Sequence, residues 1–261
     1  MTVLSETGVS RWIRRFHPSG GARARLVCLP HAGGSATAYF PFSRAAAEAV
    51  PDVEVVAVQY PGRQDRRGEP CFDDVGAMAD AIADDLRRWA DLPLALFGHS
   101  MGATVGYEVA RRLEVRGTPP LGLFASACRA PSVHRIEYVH QRDDEGLIAA
   151  LKELSGTDAG VFGDDELLRM VLPAVRGDYT AVETYRHRPG AEPSCPIQVL
   201  TGDRDPVTSL ADAGAWHAHS TASTAVEVLP GGHFYLHEQL PRVLAVVAAR
   251  LAEWRPGNPP G

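Results

Sequence analysis

Cysteine is scarce in this chain: four residues in 261, at positions 28, 71, 128 and 195, with no C-x-x-C pair among them. Such wide spacing does not read as a disulfide framework or a metal site, and free thiols in a reducing cytoplasm are expected. No uninterrupted apolar stretch approaches the roughly 18 residues that suggest a membrane span. The first residues, MTVLSETGVSRWIRRF, lack an apolar segment and a small-residue cleavage site, so no secretory signal is read there. Positive charge is in deficit, 26 Lys and Arg against 32 Asp and Glu for a net charge of -6, which argues against a general nucleic-acid surface. Internal repeats and low-complexity tracts are also missing. What is present is ordinary globular composition, 45% hydrophobic and 22% charged. A cytoplasmic, mildly acidic protein is expected, with residues 1–261 forming a single domain.

Short apolar runs rich in β-branched residues alternate with longer helical patterns. The runs are Arg25–Pro30, Val53–Tyr60, Leu92–Gly98, Leu121–Ala127, Pro196–Gly202 and Ala225–Pro230; helices are expected near Tyr39–Val50, Asp74–Ala90, Met101–Arg116, Ser209–His219 and His237–Trp254. Strands without a polar face, each followed by a helix, predict an α/β fold with a mostly parallel central sheet covered on both sides. Ligands gather at the carboxyl ends of strands in such sheets. The rhythm breaks once, between about residues 129 and 193, where two helical stretches replace any strand: Glu145–Leu154 and Asp164–Arg186, the second interrupted by Pro173. Leu147, Ile148, Leu151 and Leu154 share a face, as do Leu167, Leu168, Val171, Leu172 and Val175. They serve either as extra core or as a helical lid over an apolar pocket; the position of the insertion favours the lid. The tail RPGNPPG is expected to be disordered.

At Gly98-His99-Ser100-Met101-Gly102 an apolar strand meets a helix with no intervening turn residues. A serine on so sharp a junction projects from the end of the sheet, and the flanking glycines are needed because a Cβ would collide with the neighbouring strand and helix. The N-terminus of the following helix aims its free N–H groups at the serine oxygen. This is the G-x-S-x-G nucleophile elbow, with Ser100 as nucleophile and His99 as packing or polar support. A serine hydroxyl needs a base. In the α/β-hydrolase order, an acid and then a histidine follow from later strand ends. The loop after PIQVLTG offers Asp203 and Asp205, and the loop after AVEVLPG offers His233. Asp205 is favoured over Asp203, because Pro206 fixes the backbone after it and the loop extends from the strand toward His233; Asp203 would hydrogen-bond the turn. His237, one turn beyond the base, is expected at the surface or behind it. The oxyanion would take the backbone N–H of Met101 and that of Ala32, on the loop PHAGGSA, where Gly33 and Gly34 permit close approach.

Together these segments resemble the stand-alone type II thioesterases of polyketide and nonribosomal peptide assembly lines. The resemblance is carried by LPHAGGSA (29–36), QYPGR (59–63), FGHSMGA (97–103), TGDRDP (201–206) and GGHFYL (231–236), and runs from about Arg11 to Leu251. It implies an α/β-hydrolase fold with a helical lid, a Ser100, Asp205, His233 triad and an oxyanion hole at Ala32 and Met101. It further implies hydrolysis of acyl groups from the phosphopantetheine thiol of acyl or peptidyl carrier proteins, clearing misprimed or stalled units. No metal or bound cofactor is implied, since phosphopantetheine belongs to the substrate, and a monomer is expected. The same triad would also serve a general acyl-CoA thioesterase or carboxylesterase. Carrier proteins are commonly acidic, as is this chain, so docking would need a basic patch. Arg63, Arg66 and Arg67 on one loop, with Arg129 and Arg135, are candidates for it, or simply scattered surface charge.

Overall fold

The computed structural model describes residues 10–135, 137–155 and 165–255, with the side chains of residues 155 and 165–169 left aside. The expected disorder of the tail beyond Arg255, and the placement of Leu167 and Leu168 on a helix face, lie outside this range.

Seven strands form one sheet in the order β1-β3-β2-β4-β5-β6-β7. They are β1 (Ile13–Arg14), β2 (Ala24–Leu29), β3 (Val53–Val58), β4 (Leu94–His99), β5 (Leu123–Ser126), β6 (Ile197–Gly202) and β7 (Thr224–Leu229). All neighbours pair in parallel except β1, which runs antiparallel to β3 with Ile13 opposite Val58. Every residue of β2, β3, β4 and β6 is buried, including Arg25, Glu54, His99, Gln198 and Thr201, which explains why these strands read as mostly apolar runs rather than alternating ones.

Among the described residues, seven α-helices accompany the sheet: α1 (Phe40–Ala49), α2 (Val75–Leu86), α3 (Met101–Val115), α4 (Asp144–Ser155), α5 (Asp165–Thr184), α6 (Leu210–Gly214) and α7 (Leu240–Trp254). Alternate strand residues feed opposite faces. Val27, Leu29, Val56 and Leu96 pack with Met78, Ile82 and Val105 from α2 and α3, whereas Leu26, Cys28, Val55 and Phe97 pack with Phe42 of α1 and Val243 and Val247 of α7. A third cluster joins Leu147, Ile148 and Leu151 of α4 to Leu172 and Val175 of α5.

Local chemistry sets several boundaries. Asp74 caps α2, its carboxylate accepting from the Ala77 N–H at 2.7 Å, and Ser209 and Asp212 form a capping box on α6. The last helix begins at Leu240 rather than His237, with Pro241 in its first turn, where a missing N–H costs nothing. The expected break at Pro173 does not occur. α5 is continuous through it, with Pro173 on the exposed side and its neighbours Leu172, Ala174 and Val175 buried. Packing of the apolar face thus outweighs the lost hydrogen bond. Among the described residues no helix is long and apolar enough to cross a membrane.

Candidate active site

β4 enters α3 at one residue. Ser100 has φ +54° and ψ -122°, a conformation that costs a non-glycine residue about 1–3 kcal/mol. The bend is sharp enough that a Cβ on Gly98 would strike the backbone of Gly102, and one on Gly102 would strike the carbonyl of Leu29 in β2. Glycine at both positions is therefore a packing requirement.

Two further strand ends converge beside the elbow. β6 and β7 lie so close at their carboxyl ends that a Cβ on Gly202 would meet the carbonyls of Gly231 and Gly232. Asp203 bridges the two loops, its Oδ1 accepting from the Gly231 N–H at 2.8 Å, and its side chain is half exposed. Asp205 faces the other way. Its Oδ1 accepts from the N–H groups of Val207 (2.9 Å) and Thr208 (3.2 Å), while Oδ2 lies 2.9 Å from Nδ1 of His233. Both side chains of that pair are sealed from solvent, at 0% and 1% exposure. Nε2 of His233 is buried, with no hydrogen-bond partner among the described residues. Ser100, Met101, Ala32 and His233 line one cavity of about 330 Å³. No acceptor among the described residues takes the N–H of Ala32 or Met101.

Two more histidines surround the base. His99 is buried, accepts or donates at Nδ1 with Ser126 Oγ (2.9 Å), and stacks on Phe234 with centroids 5.7 Å apart. Ser126 in turn meets the Tyr235 hydroxyl at 2.6 Å. Burial, then repulsion from His233, pushes the His99 pKa well below that of an ordinary imidazole. His31, which also lines the cavity, is pushed down to about 3 by burial and by His233, His237 and Arg63. His237 is exposed. His31 was not among the residues singled out from the sequence; its place beside Ala32 on the glycine-rich loop was the available signal.

α4 and α5 contribute to the cavity wall: Leu151 and Leu154 from the first, Tyr179 and Val182 from the second. The arginines proposed for docking are mostly committed elsewhere. Arg63 is 4% exposed and ion-paired with the fully buried Asp178, and Arg66 is 6% exposed and paired with Glu69 at 2.7 Å. Neither belongs to a surface patch. Arg129 pairs with Glu137 and Arg135 with Asp212, each at 2.7 Å, while Arg67 is exposed. Among the described residues, one group with metal-ligating chemistry, His187, Glu192 and His219, brings its ligand atoms within 4.8 Å of one another. None of the three lines the cavity, and the Tyr107 hydroxyl hydrogen-bonds into their midst.

A strained serine where a buried strand of a mostly parallel sheet meets a helix, beside a histidine–aspartate pair on later strand ends, defines an α/β-hydrolase. Residues 24–251 match the model of the Thioesterase domain family, and the chain belongs to that family. It is 49% identical over 251 residues to the probable cadicidin biosynthesis thioesterase of Streptomyces griseus, covering 96% of this chain and 68% of that one. It is 51% identical over 230 residues to the thioesterase PikA5 of Streptomyces venezuelae, covering 87% and 81%. Among solved structures, the type II thioesterase BorB from the borrelidin biosynthetic cluster superposes with a TM-score of 0.87 at 48% identity, covering 92% of this chain and 97% of that one. The chain is accordingly a hydrolase acting on thioesters, of the type II thioesterase kind, with a role in biosynthesis.

Proposed function

We propose that the protein hydrolyses acyl groups from the phosphopantetheine thiol of acyl or peptidyl carrier proteins, using Ser100, His233 and Asp205. The observation that carries this reading is the 2.9 Å contact of His233 Nδ1 with the buried carboxylate of Asp205, which leaves Nε2 unpartnered in a cavity shared with Ser100. A carboxylate at Nδ1 holds the proton there, so that Nε2 is the basic nitrogen. His31 and His99, held neutral by burial, do not add positive charge against the imidazolium that forms on His233.

In the first step His233 takes the Ser100 proton and the serine oxygen attacks the thioester carbonyl. The N–H groups of Ala32 and Met101 receive the oxyanion. The tetrahedral intermediate expels pantetheine as a thiolate, a good leaving group, which takes the proton held by His233 and departs as the thiol, so that His233 is again a neutral base. Water, deprotonated by His233, then releases the carboxylic acid and restores the serine. No step calls for a metal or cofactor. The α4–α5 segment serves as a lid whose apolar residues receive the acyl chain, and the free thiols of all four cysteines suit the cytoplasm in which we place a monomeric enzyme.

The test compares kcat/KM on an octanoyl carrier protein, octanoyl-CoA and p-nitrophenyl octanoate. A preference of about tenfold or more for the carrier protein, ~1.4 kcal/mol of transition-state stabilisation, is expected. Equal or better turnover of either small substrate would replace this reading with a general thioesterase or esterase.

A further inference from the structure

A carboxylate withdrawn from water costs several kcal/mol unless partners replace its hydration. Asp178 is such a group: it lies on α5, is 0% exposed, and is not among the cavity-lining residues. Its Oδ2 accepts both from the backbone N–H of Gly33, at 2.7 Å, and from Arg63 Nη2. Arg63 is itself anchored, Nη1 donating to the Pro61 carbonyl at 2.7 Å. Burial pushes its pKa down to about 10, so it remains a cation at neutral pH. Gly33 is the residue after Ala32.

The geometry of the loop gives this contact its meaning. The Gly34 N–H donates to the His31 carbonyl at 2.9 Å, which fixes the His31–Ala32 peptide plane and hence the direction of the Ala32 N–H. Asp178 fixes the next plane through the Gly33 N–H. Further along, Gln59 Oε1 accepts from the Ala36 N–H at 3.0 Å, while its Nε2 reaches the Arg63 carbonyl at 3.3 Å. Gly33 has φ +75°, and a Cβ there would run into Val175 of α5, so helix and loop are in direct packing contact as well. The loop is thus held from the α5 side by Asp178 and from the sheet side by Gln59, and Arg63 joins the two supports.

We infer that Asp178 is a positioning residue: from the helix that walls the cavity, it sets the loop carrying the Ala32 oxyanion donor, with Arg63 as its counter-ion. The inference rests on the assignment of Ala32 to the oxyanion hole made above. Asp178 contacts no reacting atom. Its effect therefore appears in the stabilisation of the tetrahedral state and not in substrate affinity.

The experiment uses the full chain with Asp178→Ala, Asp178→Asn and Ser100→Ala. It measures kcat and KM on octanoyl-N-acetylcysteamine, inhibition by an alkyl boronic acid whose serine adduct places an oxygen in the oxyanion site, and Tm. For Asp178→Ala, kcat is expected to fall roughly 10²- to 10³-fold, the usual cost of a lost oxyanion donor. KM changes little and the boronate Ki rises in step. Asp178→Asn keeps an acceptor for Gly33 but loses the charge that holds Arg63, so its kcat is expected about tenfold below the parent and above that of Asp178→Ala, with the boronate Ki raised to match. A folded Asp178→Ala enzyme with normal kcat, or a fall in kcat without a matching rise in Ki, overturns the inference. If the alanine variant does not fold, Asp178→Asn decides: a deficit shared by kcat and Ki supports positioning, and a deficit in KM alone, or none, refutes it. Turnover by Ser100→Ala would sink the serine reading itself, whereas an inactive Ser100→Ala beside a full-rate Asp178→Ala removes only the present inference.

Discussion

Asp205→Asn removes one charge and replaces Oδ2 by an NH₂ group of nearly the same size. The contact at stake is 2.9 Å long and fully withdrawn from solvent. Asparagine retains Oδ1 for the N–H groups of Val207 and Thr208, so the loop keeps its shape and its amide nitrogen is left facing His233. Two N–H groups cannot hydrogen-bond, so the imidazole moves its proton to Nε2, the wrong tautomer for a base acting on Ser100. The corresponding change in serine proteases costs up to ~10⁴ in kcat, or ~5.5 kcal/mol at ~1.36 kcal/mol per decade. Asp203→Asn is the internal control. Its Oδ1 acceptor for Gly231 survives, its side chain is half exposed, and kcat is expected within about threefold of the parent. Steady-state turnover of an acyl thioester, with Tm measured on each variant, decides between them. A near-normal Asp205→Asn enzyme beside an inactive, folded Asp203→Asn would refute the reasoning.

Ser100→Gly relieves the positive φ that Ser100→Ala retains, so the glycine variant should melt higher than the alanine variant by about 2–6 °C, although both are inactive; an alanine variant as stable as the glycine would show that the elbow stores no strain. His219 and His31 are held down to about 4 and about 3, chiefly by burial. The unfolded chain takes up those protons near pH 6.5 and the folded chain does not, so the stabilisation is complete above that pH and drains as pH falls toward 4, at about 1.4 kcal/mol per pH unit per histidine. Denaturant melts from pH 7 to 4 should show this slope, and His219→Gln should lose one histidine's share of it; an unchanged slope would contradict the assignment. Arg63→Ala should impair hydrolysis equally on a carrier protein and on a carrier-free thioester, independent of salt, because its partner Asp178 is internal. A loss confined to the carrier protein and abolished by salt would restore the docking role that burial removes.

Much of the fold was legible because burial on both faces leaves a simple trace. β2, β3, β4 and β6 are buried throughout, mostly apolar and separated by amphipathic helices, so their mostly parallel pairing could be read directly. The elbow was legible because steric exclusion at Gly98 and Gly102 dictates residue type. Asp205 and His233 could be placed because each follows a strand end. β1 was not foreseen: two residues have no periodicity, and only pairing with β3 makes them a strand. Continuity of α5 through Pro173 depends on its buried face, which local propensity does not register. Arg63 read as a surface charge because its partner Asp178 stands 115 residues away. Long-range ion pairs leave no local pattern, and the cluster of neutral histidines around His233 is hidden for the same reason.

The central claim is that an acyl group passes from a carrier protein's thiol to the oxygen of Ser100 before water removes it. Rapid mixing of the enzyme with an octanoyl carrier protein, acid quench within milliseconds and mass measurement of the intact enzyme test this directly. An octanoyl adduct should appear transiently, map by peptide digestion to Ser100 and be missing from Ser100→Ala. Release of octanoate by Ser100→Ala at the parent rate, with no adduct on either protein, would contradict it.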